Sequence, residues 1–326
     1  MKNILKDKVL LVTGGTGSFG KNFIKYLIKY SKLKKVIVYS RDEMKQWEME
    51  NELQSRKLKF VIGDVRDKER LNYAVNNVDF LIHAAATKIV PTAEYNPFEC
   101  VKTNVIGANN IIEVAKQNKI KKVVALSTDK ASNPINLYGA TKLVSDKLFI
   151  AANNDTKNST KFAVVRYGNV AGSRGSIIPF FLGLKKNEAY PITDKNMTRF
   201  LIKYDDAIEL VMHSIIDMEG GEIYVKKIPS VKIIDIAKAI NKNARFKIIG
   251  IRPGEKIHEQ MISVEDSNYT YEYKSYYKIL PSINNWNRDH KRIKTGKKVK
   301  NGFSYTSSNN DKWLNINEIK KWIKSL

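Results

Sequence analysis

The sequence predicts an α/β protein: a doubly wound parallel sheet in the first half, closed at one edge by a smaller C-terminal region. Three observations predict it. Short β-rich apolar runs (KVLLVT, KKVIVYS, LKFVIGD, VDFLIHAA and KKVVALST) recur through the first half and end in small or polar residues. Helix-period segments at 22–30, 68–76 and 104–118 separate them, and such alternation favours a parallel sheet with helices on both faces. The first run opens directly into a glycine-rich turn.

That turn reads Thr13-Gly14-Gly15-Thr16-Gly17-Ser18-Phe19-Gly20, a G-x-x-G-x-x-G spacing over Gly14, Gly17 and Gly20. Glycine allows the tight turn and a close backbone approach to a pyrophosphate, and the following helix aims its first amides at the phosphates. The segment from Gly14 through Thr16, Ser18 and Phe19 to Gly20 is therefore the expected dinucleotide loop of a Rossmann-type fold, against the alternative of a glycine turn without a ligand. The second strand ends in Ser40 and Arg41, with Lys45 one turn later. These suit a 2′-phosphate, so NADP is the expected cofactor; the alternative has Asp42 on the ribose and Arg41 as a solvated charge. Asp64 and Val65, ending the third strand, are expected at the adenine edge. Ala84 and Ala86, ending the fourth, leave room for a cofactor to pass.

The fifth strand ends in Ser127-Thr128 and is followed at once by Asp129-Lys130. Tyr138 and Lys142 share one face of the next helix. The tyrosine is expected to exchange a proton with a sugar hydroxyl, and the lysine to lower the tyrosine pKa and hold the nicotinamide ribose. A plain dehydrogenase or 4-epimerase needs no further acid and base here, whereas dehydration does. Oxidation at sugar carbon 4 acidifies the hydrogen on carbon 5; a base removes it while an acid protonates the departing carbon 6 hydroxyl. Lys130 must be neutral to be that base, and burial near Lys142 and a cationic nicotinamide is expected to push its pKa down. The alternative is an Asp-Lys surface turn.

A sixth strand, KFAVVRYGNV, precedes a change of texture near residue 170, after which glycine, proline and short apolar pieces replace the alternation. The expected division is 1–170 for the dinucleotide-binding domain and 171–326 mainly for substrate binding, with some chain returning to the sheet. The tyrosine-rich, then basic, stretch 266–300 is expected as surface loop with short strands, and a final helix at 316–323.

Composition narrows the function classes. The 326 residues are 43% hydrophobic, enough for a real core. A net charge of +24 raises nucleic-acid binding, but lysine is scattered, and the densest basic patch, 290–300, has no interleaved aromatics to stack bases. The single cysteine, Cys100, excludes an intrachain disulfide and suits a reducing cytoplasm; it reads as a buried thiol. No apolar stretch approaches the roughly 18 residues of a membrane span, and the N-terminal run reads as a strand rather than a leader. His83 is expected to be packed or hydrogen-bonded. His258 has no second ligand at metal spacing, so no metal is expected.

With these motifs in view, the chain resembles the soluble UDP-N-acetylglucosamine 4,6-dehydratases that invert carbon 5 and open the pseudaminic acid pathway, within the extended short-chain dehydrogenases. The matching pieces are TGGTGSFGK, SRDEMKQ, GDVRD, STDKASNPINLYGATKLVSDKLF, RYGNVAGSRGS, PITDKNMTRF, IRPGEKIHE and FSYTSSNN, in order along nearly the whole chain. The resemblance implies Asp129 as acid, Lys130 as base, Tyr138 for the carbon 4 hydroxyl, and UDP-sugar contacts at Lys88, Asn169, Arg199, Arg252 and Glu255. It implies no nucleic acid or membrane partner, and a homo-oligomer, dimeric or hexameric. The related glucose dehydratases carry glutamate where Lys130 stands, and large membrane-anchored relatives usually carry methionine where Tyr138 stands. Where the family often reads A-A-M-K-H-V-P, this chain has Thr87 and Ile89 around Lys88. The competing functions are a UDP-sugar 4-epimerase, a dehydratase with added 3-epimerisation, and a non-catalytic NADP- or RNA-binding protein.

Overall fold

The computed structural model describes residues 4–155, 159–185 and 188–326. The first half runs β1 (Val9–Thr13), α1 (Ser18–Tyr30), β2 (Lys35–Ser40), α2 (Glu43–Leu53), β3 (Leu58–Ile62), α3 (Lys68–Ala74), β4 (Phe80–His83), α4 (Val90–Tyr95), α5 (Pro97–Val101), α6 (Gly107–Gln117), β5 (Lys122–Thr128), α7 (Leu137–Ala151) and β6 (Lys161–Tyr167). The second half runs β7 (Asn169–Val170), α8 (Ile177–Leu182), β8 (Tyr190–Ile192), β9 (Thr198–Ile202), α9 (Tyr204–Asp217), β10 (Ile223–Lys226), β11 (Ser230–Lys232), α10 (Ile233–Ile240), β12 (Phe246–Ile248), β13 (Gln260–Ile262), β14 (Thr270–Glu272), β15 (Tyr276–Ile279), α11 (His290–Ile293), β16 (Lys297–Lys298), β17 (Tyr305–Thr306) and α12 (Ile316–Lys324).

The main sheet has the order β16-β14-β15-β10-β6-β5-β4-β1-β2-β3. From β3 to β10 every neighbouring pair is parallel, while β15, β14 and β16 extend it antiparallel. All six expected strands of the first half lie in this sheet. Their near-continuous Val, Ile and Leu content is what a strand buried on both faces requires. Two helix groups cover it, α1 with α9 and α6 with α3 and α7. The chain order reverses between β1 and β4, and ligands of such sheets bind beyond the strand ends at that point. Thr13, ending β1, stands opposite Tyr39 on one side and His83 on the other, which sets the floor of that crevice.

A second apolar cluster forms outside the main core, with Ile178, Phe181, Ile192, Val231, Ile236 and Ile319 among its members. It joins α8, α10, α12 and the small sheets of the second half. The stretch 266–300 carries the expected short strands, but they join the main sheet rather than lying in a surface loop. Strand β15 carries Tyr277, Lys278 and Ile279 into the interior, because Lys278 finds the mostly buried carboxylate of Asp217 and leaves the strand free to pair with β10. The expected helix at 104–118 is α6 preceded by a π-helical turn at Lys102–Ile106, a feature frequent at functional sites. The expected helix from 22 begins earlier, at Ser18, and the final helix matches its expected place. Among the described residues, no helix is long and apolar enough to cross a membrane.

Candidate active site

The cofactor end is built by β1 and the first turn of α1. Gly14 has φ +63°, and a Cβ there would lie 2.8 Å from the Ala85 amide and 2.9 Å from Ala84. A Cβ on Gly20 would meet the Gly14 carbonyl at 2.5 Å. Only glycine lets the loop fold this tightly between helix and strand. Gly17 precedes α1 without a side-chain cap, so the first amides of a 13-residue helix are left for an anion. Thr16 is half-buried within the loop, and Phe19 stacks on Phe23 and leans on Tyr167. Ala84 and Ala86 follow β4, while buried His83 shares a hydrogen bond of 2.9 Å with Thr13.

At the end of β2, Ser40 is buried and its hydroxyl accepts from Gln46. Arg41 is exposed, its guanidinium 3.7 Å from Asp64. Asp42 caps α2 by accepting from the Lys45 amide and also pairs with the Lys45 ammonium. Both oxygens of the one acidic candidate for a ribose contact are thus engaged. Asp64 also binds the Arg66 guanidinium, and the Val65 carbonyl accepts from Asn110.

The chemical centre forms where β5 ends. Thr128 donates to Asp129 at 2.9 Å and hydrogen-bonds Tyr138. Lys130 Nζ lies 3.1 Å from Asp129 and 3.1 Å from Glu259. Asp129 and Glu259 are 1% and 2% exposed, and each keeps one carboxylate oxygen, Oδ2 and Oε2, without a hydrogen-bond partner. Arg199 is buried beside them, its Nε 3.8 Å from Glu259 and its Nη1 donating to the Thr198 and Ile257 carbonyls. Asp129, Lys130 and Tyr138 therefore do come together, and with them Arg199 and Glu259. Glu259 was not singled out in the sequence; its only signal there was a carboxylate just before a short apolar strand.

Electrostatics sharpen the roles. Burial raises the Asp129 pKa; Lys130 opposes this and Glu259 adds to it. Burial alone would raise Glu259, but Lys130 and Arg199 pull it below the usual carboxylate value. Burial pulls Lys130 down, yet the two carboxylates outweigh it and hold the ammonium above the ordinary lysine value. This corrects the expectation of a lowered Lys130: the dominant neighbours are anions, not Lys142. Tyr138 is pushed up to about 12 by burial, opposed by Lys130 and Thr128. The cation facing the phenol is thus Lys130, where the sequence suggested Lys142. Lys142 is buried and lowered by that burial, with Asp146 and Cys100 partly restoring it.

The flank expected for a UDP-sugar is assembled by loops. Lys88 Nζ donates to the Arg174 carbonyl at 3.0 Å, and its pKa is lowered by burial and by Arg174. Arg174, whose amide bonds Ser18 on the dinucleotide loop, is a second residue the sequence left unnoticed. Asn169 lies on β7 opposite Leu201 of β9, the strand that also carries Arg199. Arg252 and Glu255 form an ion pair, and Glu255 also accepts from Thr193. Their loop is anchored to the segment leading into α7: the Asn136 side-chain amide donates to the Gly254 carbonyl at 2.7 Å, and Lys256 donates to the Ser132 carbonyl at 3.0 Å. Thr87 bonds Cys100 and Asn104, both buried, so Cys100 is an interior thiol. His258 bonds Thr198. Among the described residues no cluster of His, Cys, Asp and Glu has a metal-binding arrangement.

Comparison with known proteins adds three findings. Residues 10–281 match the family model described as polysaccharide biosynthesis protein. The chain is 54% identical over 97% of both chains to a Campylobacter jejuni protein named UDP-N-acetylglucosamine 4,6-dehydratase (inverting). It is also 40% identical, over 98% of its length and 96% of the relative's, to a Rickettsia bellii protein named UDP-glucose 4-epimerase. Among solved structures, Pen from Bacillus thuringiensis superposes with a TM-score of 0.90 at 34% identity, covering 99% of each chain.

Proposed function

The chain belongs to the polysaccharide biosynthesis protein family, and from that premise we propose that it is a UDP-N-acetylglucosamine 4,6-dehydratase, a hydro-lyase that inverts sugar carbon 5. The product is UDP-2-acetamido-2,6-dideoxy-β-L-arabino-hex-4-ulose. One observation carries the reading: at the end of β5 a buried carboxylate and a lysine stand beside the catalytic tyrosine. An epimerase needs only the tyrosine, so this second acid–base pair favours dehydration over the epimerase named among the relatives. The high identity to the Campylobacter jejuni dehydratase supports the same choice.

A nicotinamide cofactor on the glycine loop supplies reversible hydride acceptance. The uncapped first turn of α1 suits its pyrophosphate, and the close-packed Gly14 leaves the space it needs. NADP is the proposed form, since Arg41 is exposed at the β2 end while Asp42 is committed to α2 and Lys45. Ser40, Lys45, Asp64, Val65, Ala84 and Ala86 complete the proposed contacts.

Tyr138 takes the proton of the carbon 4 hydroxyl. Its phenolate is stabilised by the Lys130 charge and the Thr128 hydroxyl, and Lys142 completes the set on the same helix. Asp129, kept protonated by burial, delivers a proton to the departing carbon 6 oxygen. Lys130 takes the carbon 5 proton. Lys88, Asn169, Arg199, Arg252 and Glu255 are the proposed UDP-sugar side; the exposed Arg252 suits the diphosphate and Glu255 the ribose hydroxyls. Residues 171–326 thus act mainly as the substrate-binding part. Exposed Tyr95 and Phe98 on the short helices α4 and α5 support a homo-oligomer. A cytoplasmic setting and use of the product for pseudaminic acid complete the proposal.

The test is mass analysis of UDP-N-acetylglucosamine incubated with the protein and no added reductant. Loss of one water with no net cofactor consumption is expected. An unchanged sugar mass would overturn the reading.

A further inference from the structure

The reaction needs a neutral amine and a protonated carboxyl side by side, yet an isolated Asp-Lys pair settles into the opposite, ionised form. A third group has to change that preference. Glu259 is the group in place. Its backbone is clamped by Ser307, which donates to the Glu259 carbonyl from its amide at 2.7 Å and accepts the Glu259 amide on its hydroxyl at 2.9 Å. Its Oε1 meets the Lys130 ammonium at 3.1 Å, the same separation that Asp129 Oδ1 keeps from it.

We propose that Glu259 is a positioning residue of the elimination step: by sharing the Lys130 ammonium it leaves Asp129 to hold a proton, and it takes up the Lys130 proton when that amine acts as base. The proposal rests on the dehydratase reading and deepens it.

The groups that face the cluster come from several elements, and Asp146 adds to the field at Tyr138. Thr128, Asp129 and Lys130 face it from the end of β5, Tyr138 from α7, Arg199 from β9, and Lys256 from the loop before β13. Glu259 thus has Lys130, Arg199 and Lys256 for its negative charge, whereas Asp129 shares Lys130 with it, feels Lys256 less than Glu259 does, and accepts from Thr128. Asp129 is 1% exposed with an unpartnered Oδ2, an environment in which an ionised carboxylate is costly. Of the two acids, Asp129 is therefore the one that stays protonated. The unpartnered Glu259 Oε2 leaves that carboxylate an acceptor oxygen that no hydrogen bond occupies, while Lys130 and Arg199 keep the group ionised at rest.

The proton count closes. At rest Asp129 is a carboxylic acid, Lys130 an ammonium and Glu259 a carboxylate. One N–H bond of Lys130 breaks and an O–H bond forms on Glu259, leaving a neutral amine. The amine takes the proton of carbon 5, and that C–H electron pair becomes the carbon 5–carbon 6 double bond. The carbon 6–oxygen bond breaks with its pair, and the Asp129 proton joins the oxygen to make water. Asp129 is then a carboxylate, Lys130 an ammonium and Glu259 an acid. Passing one proton from Glu259 through Lys130 to Asp129 restores these three groups. With the hydride returned to carbon 6 from a bound nicotinamide, a proton delivered to the opposite face of carbon 5, balanced by the carbon 4 hydroxyl proton that Tyr138 releases to solvent, completes the inverted product.

The test compares holoenzyme with Glu259→Gln, mixed rapidly with UDP-N-acetylglucosamine and followed by reduced-nicotinamide absorbance and by product. Oxidation at carbon 4 is upstream of Glu259 and should survive, so reduced nicotinamide should accumulate. Dehydration kcat should fall about 100-fold, the size of a lost general acid–base contribution, with KM little changed. Unchanged turnover, or oxidation and elimination falling together with a raised KM, would overturn the proposal. Glu259→Asp covers poor folding of the first variant: it should show the same accumulation with a smaller kcat loss, and its absence would count against the proposal. Failure of the wild-type protein to dehydrate the sugar would instead sink the dehydratase reading itself.

Discussion

Two lysines that meet carboxylates inside this protein, Lys278 and Lys130, are wired in opposite ways. Lys278 on β15 is fully buried, bonds Asp217 at 2.9 Å and the Arg292 carbonyl, and lies over the Tyr224 and Tyr273 rings. Both oxygens of its carboxylate are occupied: Asp217 Oδ2 also accepts from Tyr224 at 2.8 Å, and Oδ1 pairs with Lys294 at 2.6 Å. Lys130 is partly open to solvent and faces two carboxylates that each retain an unbonded buried oxygen. A satisfied network fixes a strand, whereas one left with free acceptors can still move protons. The contrast teaches that burial of a lysine says little until the partners of its partners are counted.

The largest effect that tests this contrast is Lys130→Met. Turnover of UDP-N-acetylglucosamine should fall by roughly 100- to 10,000-fold, with a melting temperature close to wild type. A large loss of stability instead would make Lys130 as structural as Lys278. The reciprocal change, Lys278→Met, should destabilise the fold by about 3 kcal/mol in urea titrations, because it removes one partner of a buried pair, while kcat per folded molecule stays put. Loss of activity in the folded fraction would break the contrast from the other side.

Most of the fold could be read from the sequence because a parallel sheet writes itself as uninterrupted apolar runs. The glycine loop, Asp129-Lys130 and Tyr138 were legible for a related reason: each is a contiguous pattern tied to one strand end. Strand β15 was obscured because Lys278 sits in its middle, and only the fold supplies Asp217 to neutralise it. Glu259 was obscured because its partner Lys130 is brought to it by packing of the 252–260 segment along the loop before α7, through Asn136, Ser132 and Asn133. The raised Lys130 pKa follows from the same long-range contact, so local sequence pointed the wrong way.

Two smaller effects sharpen the comparison. Arg41→Ala should weaken NADP binding about tenfold, the loss of one charge-assisted contact at an exposed site, and leave NAD binding unchanged; equal weakening of both would take Arg41 off the 2′-phosphate. The smallest is in the acid limb of stability. Asp217 is lowered from 3.8 to about 2, because hydrogen bonds from Lys294, Lys278 and Tyr224 outweigh its burial. The folded state then binds fewer protons than the unfolded one between these values. Its contribution is fully present above about pH 4 and is lost as the pH falls through about 2. Asp217→Asn should flatten that stretch of the melting-temperature profile; an unchanged slope would mean other carboxylates carry it.

The most direct test of the central claim is proton NMR with mass analysis of UDP-N-acetylglucosamine converted by the protein in heavy water. The account predicts loss of one water, deuterium at carbon 5, and the L-configured 4-keto sugar as first product. A sugar of unchanged mass with carbon 4 inverted would contradict it, and would reduce Asp129, Lys130 and Glu259 to a structural ion cluster like that of Lys278.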